Sequence, residues 1–176
     1  MKSNPLLPIW SAYLTSEGCF KMAKVALKHQ DNAIFLSAAN FYVPNQTDTT
    51  QLIDRSRKET KDLFVVDLWA TFERFVRDYL QDKASKLQQI YPATVGGSMY
   101  LYVEEEIEFW KPEDILEKIL KSTLSPSSYL VGQAKQILQY RNWIAHGKNP
   151  QKNATRITPE FAHKVLDEIV TILLAN

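Results

Sequence analysis

The sequence predicts an all-α protein, most simply a helical bundle, and three observations lead to that fold class. The long intervals between the eight prolines repeat apolar residues every three to four positions, as amphipathic helices do. No segment alternates apolar and polar residues over five positions, and no hairpin dipeptide separates two β-branched runs. With only 5 glycines in 176 residues, a turn-rich β-sandwich and a glycine-loop nucleotide fold are both disfavoured.

The prolines also predict where helices begin and end, because proline lacks an amide donor and clashes with the preceding turn. At Ser125-Pro126 and at Thr158-Pro159, a hydroxyl residue precedes the proline, which is the arrangement of an N-cap and a first helical residue. We therefore predict helices at about 9–30, 31–42, 51–90, 98–110, 112–121, 127–146 and 159–174.

The last predicted helix has the clearest core-facing side of the chain. Its apolar residues recur at intervals of three and four positions, and they are Ala162, Val165, Leu166, Ile169, Val170 and Leu173. Gly96 and Gly97 follow the segment Tyr-Pro-Ala-Thr and are predicted to lie in a loop.

Composition and charge are those of an ordinary globular chain forming one domain. The formal net charge is only +1, which argues against a generally polybasic nucleic-acid binder. A single cysteine, Cys19, excludes an internal disulfide framework and a multi-cysteine zinc site. No apolar run has the ~18 residues of a membrane span, and the first residues lack the apolar core of a signal peptide. We therefore expect a cytoplasmic protein with no membrane partner.

The long predicted helix at 51–90 has a charged residue beside its apolar face. At 100° per residue that face gathers Val65, Trp69, Phe72, Val76 and Leu80. Glu73 lies on its flank, with Arg77 one turn further on. The simpler interpretation is a Glu–Arg pair at i,i+4, worth about 0.3–0.5 kcal/mol. The alternative is a carboxylate directed into a cleft.

The predicted helix at 127–146 has an arginine within its apolar row, which runs Leu130, Ala134, Ile137, Arg141 and Ile144. A guanidinium stays protonated and is costly to bury without a partner. Arg141 therefore needs a carboxylate such as Glu73, a partner surface or an anionic ligand, unless its long side chain extends to water.

Further polar residues lie at the end of the same helix. Asn142 and His146 are four positions apart and share a face, and Gly147 is suited to end the helix. Arg141 lies about 140° around the helix from His146, so both reach one ligand only if the arginine wraps or the last turn distorts. Segment 147–158 is either a solvated loop or a basic patch, because it has no acid and contains Lys148, Lys152 and Arg156.

The run QYRNWIAHG at 139–147 resembles the signature of the HEPN superfamily, in which an Arg, usually followed by a polar residue, precedes a His by four to six positions. Here these residues are Arg141, Asn142 and His146. Segment 63–80 resembles the aromatic-Glu-x-x-x-Arg helix of the RiboL-PSP-like branch of that superfamily, and the final helix fits the family layout. The resemblance covers roughly residues 60–174.

This resemblance implies an HEPN-type bundle, a four-helix core with additional N-terminal helices, within a single domain of residues 1–176. Residues 1–59 would form an N-terminal helical extension of unknown role, and residues 60–174 the HEPN-like bundle. The implied activity is that of a metal-independent endoribonuclease, often a homodimer with a shared cleft and often a toxin or antiphage effector. An antitoxin or regulatory protein is then a further partner. Some members of the superfamily are non-catalytic interaction modules, and that alternative stays open.

The chemistry of such a nuclease fits the residues. The ribose 2′-OH attacks the phosphate, giving a 2′,3′-cyclic phosphate and a free 5′-OH, and no cofactor is expected. An imidazole such as that of His146 transfers protons near neutral pH, and Arg141 can hold the phosphoryl oxygens as charge builds. Asn142 can orient His146 or the phosphate by hydrogen bonding, and Glu73 can neutralise and aim Arg141 or Arg77. The cations predicted to bind phosphates of the RNA are Arg77, Lys148, Lys152 and Arg156.

Metal-dependent nuclease chemistry is the competing enzyme class. Its best candidates are Glu104, Glu105, Glu106 and Glu108. Three consecutive acids on a helix fan over about 200°, so we predict a solvated acidic face and no metal. His29 and His163 lack ligand-spaced partners and are predicted to lie at the surface. A DNA-binding regulator is disfavoured by the low net charge and the lack of a helix-turn-helix pair.

Overall fold

The computed structural model describes residues 3–28, 46–125, 127–152 and 154–175, and every regular element within them is helical. The all-α prediction is therefore confirmed. Six helices lie in these ranges: α1 (Leu7–Ala26), α2 (Gln46–Ala84), α3 (Ala93–Phe109), α4 (112–123), α5 (Tyr129–Ala145) and α6 (Pro159–Ala175). α4 contains a π-helical turn, Ile115–Leu120, between two short α-helical ends. The helix predicted at 31–42 lies outside the described residues.

Two predicted boundaries around α3 are wrong. α2 ends at Ala84 and passes into a 3₁₀ segment, Ser85–Gln89, instead of continuing to residue 90. Gly96 and Gly97 do not form a loop, because α3 begins at Ala93 and includes both. Gly96 is packed so closely beneath the 3₁₀ segment that an added Cβ would lie 2.6 Å from the carbonyl oxygen of Ile90. The glycine therefore serves close helix packing rather than a turn.

Of the two predicted N-caps that precede a proline, Thr158 is confirmed and Ser125 is wrong. The N–H of Phe161 donates to Thr158 Oγ1 at 3.3 Å, so Thr158 caps α6 as predicted. Ser125 does not cap α5, which begins at Tyr129 after Ser128, a residue in helical conformation with no side-chain cap.

The hydrophobic core lies between α2, α4, α5 and α6. All six apolar residues predicted to form the core-facing side of the last helix are buried, as are Val65, Trp69, Phe72 and Val76 of α2. None of the helices in the described ranges is long and apolar enough to cross a membrane.

α1 is part of the same packed unit. The Tyr13 hydroxyl donates to Glu160 of α6, and Arg57 Nε donates to Glu17 at 2.9 Å across α1 and α2. The guanidinium holds the pKa of Glu17 below its usual value. α2 itself runs through residues 59 and 60, so the boundary suggested by the resemblance lies inside a continuous helix.

The prediction that His163 lies at the surface is wrong. Its imidazole stacks on Trp10 of α1 with ring centroids 4.3 Å apart, and only 14% of its side chain is exposed. Burial lowers the pKa of His163, against the opposing effect of Asp167 one turn away. His163 therefore helps to hold α1 against α6. His29 lies outside the described residues.

The Arg77 side chain of α2 forms hydrogen bonds with the C-terminal end of α3. It is 7% exposed, and its guanidinium donates to the carbonyl oxygens of Ile107 and of Trp110, the latter at 2.9 Å. It also pairs with Glu73 at 2.7 Å. These carbonyls lie at a helix end, where no amide of the same helix is available, so the guanidinium satisfies groups that would otherwise be buried and unpaired.

Replacing Arg77 by methionine should therefore destabilise the protein strongly. Two carbonyls lose their donor and the Glu73 carboxylate loses its cationic partner, so we expect the free energy of unfolding to fall by about 3 kcal/mol or more. Arg74→Ala is the matched control on the same helix. Its ion pairs with Asp78 and Glu108 are exposed, and their loss should cost less than about 1 kcal/mol. Urea unfolding of both variants measures the difference, and equal losses would contradict this role of Arg77.

Candidate functional site

An open groove of about 660 Å³ lies at the C-terminal end of α5. It is lined by Gln139, Asn142, Trp143, His146, Asn149, Lys152 and Ala154. The groove therefore brings together three of the predicted site residues, Asn142, His146 and Lys152. Sequence analysis did not select Gln139, Trp143 or Asn149. The helical spacing of positions 139, 142, 143 and 146 is the signal that these residues share one face.

The helix end that positions His146 is a Schellman motif. The N–H of Gly147 donates to the carbonyl of Ile144, and the N–H of Lys148 donates to that of Trp143 at 2.9 Å. Gly147 has φ +80°, so it ends the helix as the sequence predicts. His146 holds the C-cap position, and the side chain of this residue is exposed to the groove. The turn thus presents the imidazole at the rim of the groove.

Lys148 is not a free cation, which corrects its prediction as a phosphate ligand. Its ammonium forms ion pairs with Glu59 and with Asp62, at 2.9 Å from Asp62 Oδ2. Asp62 is 3% exposed and also accepts a hydrogen bond of 2.8 Å from the Tyr140 hydroxyl. This lysine–aspartate–tyrosine network joins α2 to both α5 and the turn after it.

Arg141 is partly exposed and lies beside the groove rather than in its lining. Its Nη1 donates to Asn142 Oδ1 at 3.0 Å. Its Nε is buried and has no hydrogen-bond partner among residues of the described ranges. None of the ion pairs formed between described residues includes Arg141. Within the described residues, Arg141 thus has one side-chain hydrogen bond, to a neutral amide, and no carboxylate partner.

Glu73 and Arg77 do not belong to the groove. Glu73 accepts hydrogen bonds from Trp69 Nε1 at 2.9 Å and from Arg77 at 2.7 Å, so the i,i+4 pair was the correct interpretation and a pair with Arg141 was not. Arg77 is buried and its guanidinium is bound within the fold, which contradicts its prediction as a phosphate ligand.

Arg156 is exposed, and its described contact is with Tyr140. Burial is the main reason that the pKa of Tyr140 is raised to about 12, with the hydrogen bond to Asp62 acting in the same direction. The charge of Arg156 acts in the opposite sense. Arg156 therefore belongs to the edge of the Tyr140 network and does not line the groove.

Two glutamates of the acidic run of α3 accept hydrogen bonds from neighbouring side chains. Glu104 accepts from the Tyr100 hydroxyl at 2.6 Å, and Glu108 accepts from Arg74 and Gln81. Within the described residues, no three His, Cys, Asp or Glu side chains are grouped as ligands of a metal ion.

The polar and aromatic side chains that line the groove are one imidazole, three amides, one ammonium and one indole.

Comparison with known proteins gives no match to this chain among protein-family models, curated proteins or solved structures. The resemblance of the 139–147 run to the HEPN signature therefore stays a prediction. What the groove does must be inferred from its own side chains.

Replacing Arg141 by methionine should leave the stability nearly unchanged. Methionine keeps most of the apolar volume of the side chain, and its introduction leaves no carboxylate of the described residues without a partner. It also removes a buried Nε that has no hydrogen-bond partner. We expect a change of less than about 1 kcal/mol in urea unfolding. A loss as large as that of Arg77→Met would show instead that Arg141 is a buried structural cation.

Replacing Tyr140 by phenylalanine should change how stability depends on alkaline pH. The folded protein keeps the phenolic proton up to about pH 12, whereas an unfolded tyrosine loses it near pH 10. This stabilisation is complete below pH 10 and is lost between pH 10 and 12, by about 2–3 kcal/mol. The wild type should therefore lose its stability advantage over Tyr140→Phe across that range. Urea unfolding at pH 9 and 11.5 measures this, and a constant difference would contradict it.

Proposed function

We propose that the groove at the end of α5 binds RNA and cleaves it without a metal ion, with His146 as the proton-transfer group. The observation that carries this proposal is the grouping of an exposed imidazole with an amide and an ammonium in one open groove. Imidazole is the side chain suited to proton transfer at neutral pH, and the other two groups donate hydrogen bonds to phosphate oxygens.

The reaction that fits these groups is an internal transesterification. The 2′-oxygen loses its proton and attacks phosphorus, the bond from phosphorus to the 5′-oxygen breaks, and the leaving 5′-oxygen gains a proton. Lys152 supplies a positive charge for the phosphate, and Asn142 Nδ2 can donate to a phosphoryl oxygen. Arg141 acts as a positioning residue, because its hydrogen bond to Asn142 Oδ1 orients that amide.

One imidazole in the groove also favours a homodimer as the active form. The reaction requires one group to accept the 2′ proton and another to donate a proton to the leaving oxygen. Two copies with adjoining grooves would supply two His146 side chains to one RNA strand. A partner protein that covered the grooves would inhibit such an enzyme, as an antitoxin would.

The alternative is a non-catalytic helical module, and one observation favours it. Arg141 does not line the groove itself, so no guanidinium is placed there to stabilise a transition state. In that case the groove binds a partner, and His146 only caps α5. The two functions differ in whether RNA is cut.

His146→Ala should abolish most RNA cleavage in buffer containing EDTA. General acid–base groups typically contribute 10²–10⁴-fold, so we expect at least about a 100-fold loss, with a folded protein because the capping turn is made by backbone groups. Lys152→Ala should weaken RNA binding, whereas Lys86→Ala, which removes an exposed lysine of the 3₁₀ segment that follows α2, should not. Gel analysis of a labelled RNA, with detection of 2′,3′-cyclic phosphate ends, measures both.

Two results would contradict this proposal. The first is that EDTA stops cleavage by the wild type, since a metal would then carry the chemistry. The second is that His146→Ala cleaves as fast as the wild type. Absence of cleavage by a wild type that still binds RNA would favour the non-catalytic module.

A further inference from the structure

We propose that Trp143 forms a nucleobase-binding subsite in the groove, so that the substrate is an RNA segment with an unpaired base stacked on the indole. This inference rests on the proposed RNA-binding function and specifies which part of the RNA the groove recognises. It depends on three features of Trp143: how the ring is held, what surrounds it, and where it lies relative to His146.

The indole of Trp143 is held in a fixed orientation. Its Nε1 donates to the carbonyl oxygen of Asn149 at 2.9 Å, and its ring stacks against that of Tyr140 with centroids 5.7 Å apart and an interplanar angle of 26°. Tyr140 is 2% exposed and is itself bound to Asp62. A ring that lines a groove and is already held by a hydrogen bond and a buried aromatic neighbour loses little conformational freedom when a ligand stacks on it.

The single hydrogen-bond donor of the indole is already used. Because Nε1 is bound to Asn149, what the ring offers a ligand is its π-face and edge. A π-face binds flat aromatic groups, and nucleobases are the flat aromatic groups of RNA. The same face does not distinguish strongly among the four bases.

The groove around the indole has space and polar groups for a nucleotide. Its volume of about 660 Å³ lies within the ~300–1,000 Å³ typical of small-ligand sites. Gln139 precedes Trp143 by one helical turn, is exposed, and lines the groove, so its amide can bind the edge of the stacked base. Asn142 and His146 line the same groove and share this helical face with Gln139 and Trp143.

This arrangement selects unpaired RNA. A base within a duplex is stacked on both faces and cannot lie on a protein ring, whereas an unpaired base can turn out of the strand. With the base on Trp143 and its phosphate near Lys152, the backbone passes His146. Trp143 then determines specificity for unpaired over paired RNA, and Lys152 binds the phosphate without regard to the base.

The subsite can be tested by binding alone, without relying on cleavage. The probes are two fluorescein-labelled hexanucleotides with 2′-O-methyl groups, which block cleavage: one with adenine bases and one in which the central residues are abasic. Both carry the same backbone charge. Fluorescence anisotropy gives the Kd of each, and their ratio reports base recognition within each variant, independently of how much of the sample is folded.

The wild type should bind the adenine probe at least about tenfold more tightly than the abasic probe, since stacking on an aromatic side chain is worth about that much or more. Trp143→Leu should bring the ratio close to one, and Trp143→Phe should keep most of it. Lys152→Ala should weaken the binding of both probes by the same factor. Tyr102→Ala, the matched control on α3, removes a 66% exposed aromatic ring outside the groove and should leave the ratio unchanged.

A wild-type ratio near one, or a ratio that Trp143→Leu leaves unchanged, would overturn the subsite. Failure of the proposed function is distinguishable, because His146→Ala should keep the wild-type ratio while losing cleavage. If the wild type binds the adenine probe selectively but cleaves no RNA, the nuclease proposal fails and the subsite stands. If neither probe binds, both proposals are overturned.

Discussion

The arrangement of the groove depends on the contacts of the Asp62 carboxylate. Asp62 is 3% exposed, and one of its oxygens accepts a hydrogen bond from the Tyr140 hydroxyl while the other forms an ion pair with the Lys148 ammonium. A buried carboxylate must be neutralised and hydrogen-bonded, so the fold has to hold both partners against it. Tyr140 supports the indole of Trp143, and Lys148 follows directly on the turn that carries His146. One buried carboxylate in α2 therefore holds both the residue that supports Trp143 and the residue that follows the His146 turn.

The two arginines beside apolar faces show how differently the same side chain is used. Arg77 is buried and all its described contacts lie within the fold, to Glu73 and to two carbonyls at the end of α3. Arg141 is partly exposed, and its side-chain hydrogen bond within the described residues goes to the neighbouring Asn142. A guanidinium bound by three acceptors holds helices together, whereas one bound by a neighbouring amide can only orient that amide. Stability thus depends on Arg77, and the proposed role of Arg141 is to orient Asn142 at the groove.

Several predictions failed because a local pattern has more than one tertiary solution. A pair of glycines suits a loop, yet Gly96 lies inside α3, where its lack of a side chain lets α3 approach the 3₁₀ segment. Lys148 stands in a basic segment with no acid, yet it pairs with carboxylates 86 and 89 positions away in the chain, which no local pattern indicates. His163 was predicted to lie at the surface, yet its ring stacks on Trp10, 153 positions away in the chain.

The sequence by itself determined the helical class, the buried face of α6, the end of α5 at Gly147 and the shared face of Asn142 and His146. These features depend on helical periodicity and on backbone conformations set within a few residues of each other. Only the tertiary structure decided that Trp143 and Gln139 line the groove with them, and that Glu73 pairs with Arg77 rather than Arg141. It also decided that Lys152 remains in the groove while Lys148 is neutralised by α2. The reason is that partner choice follows from which distant side chains the packed helices bring within a few ångströms, and short-range patterns do not specify those distances.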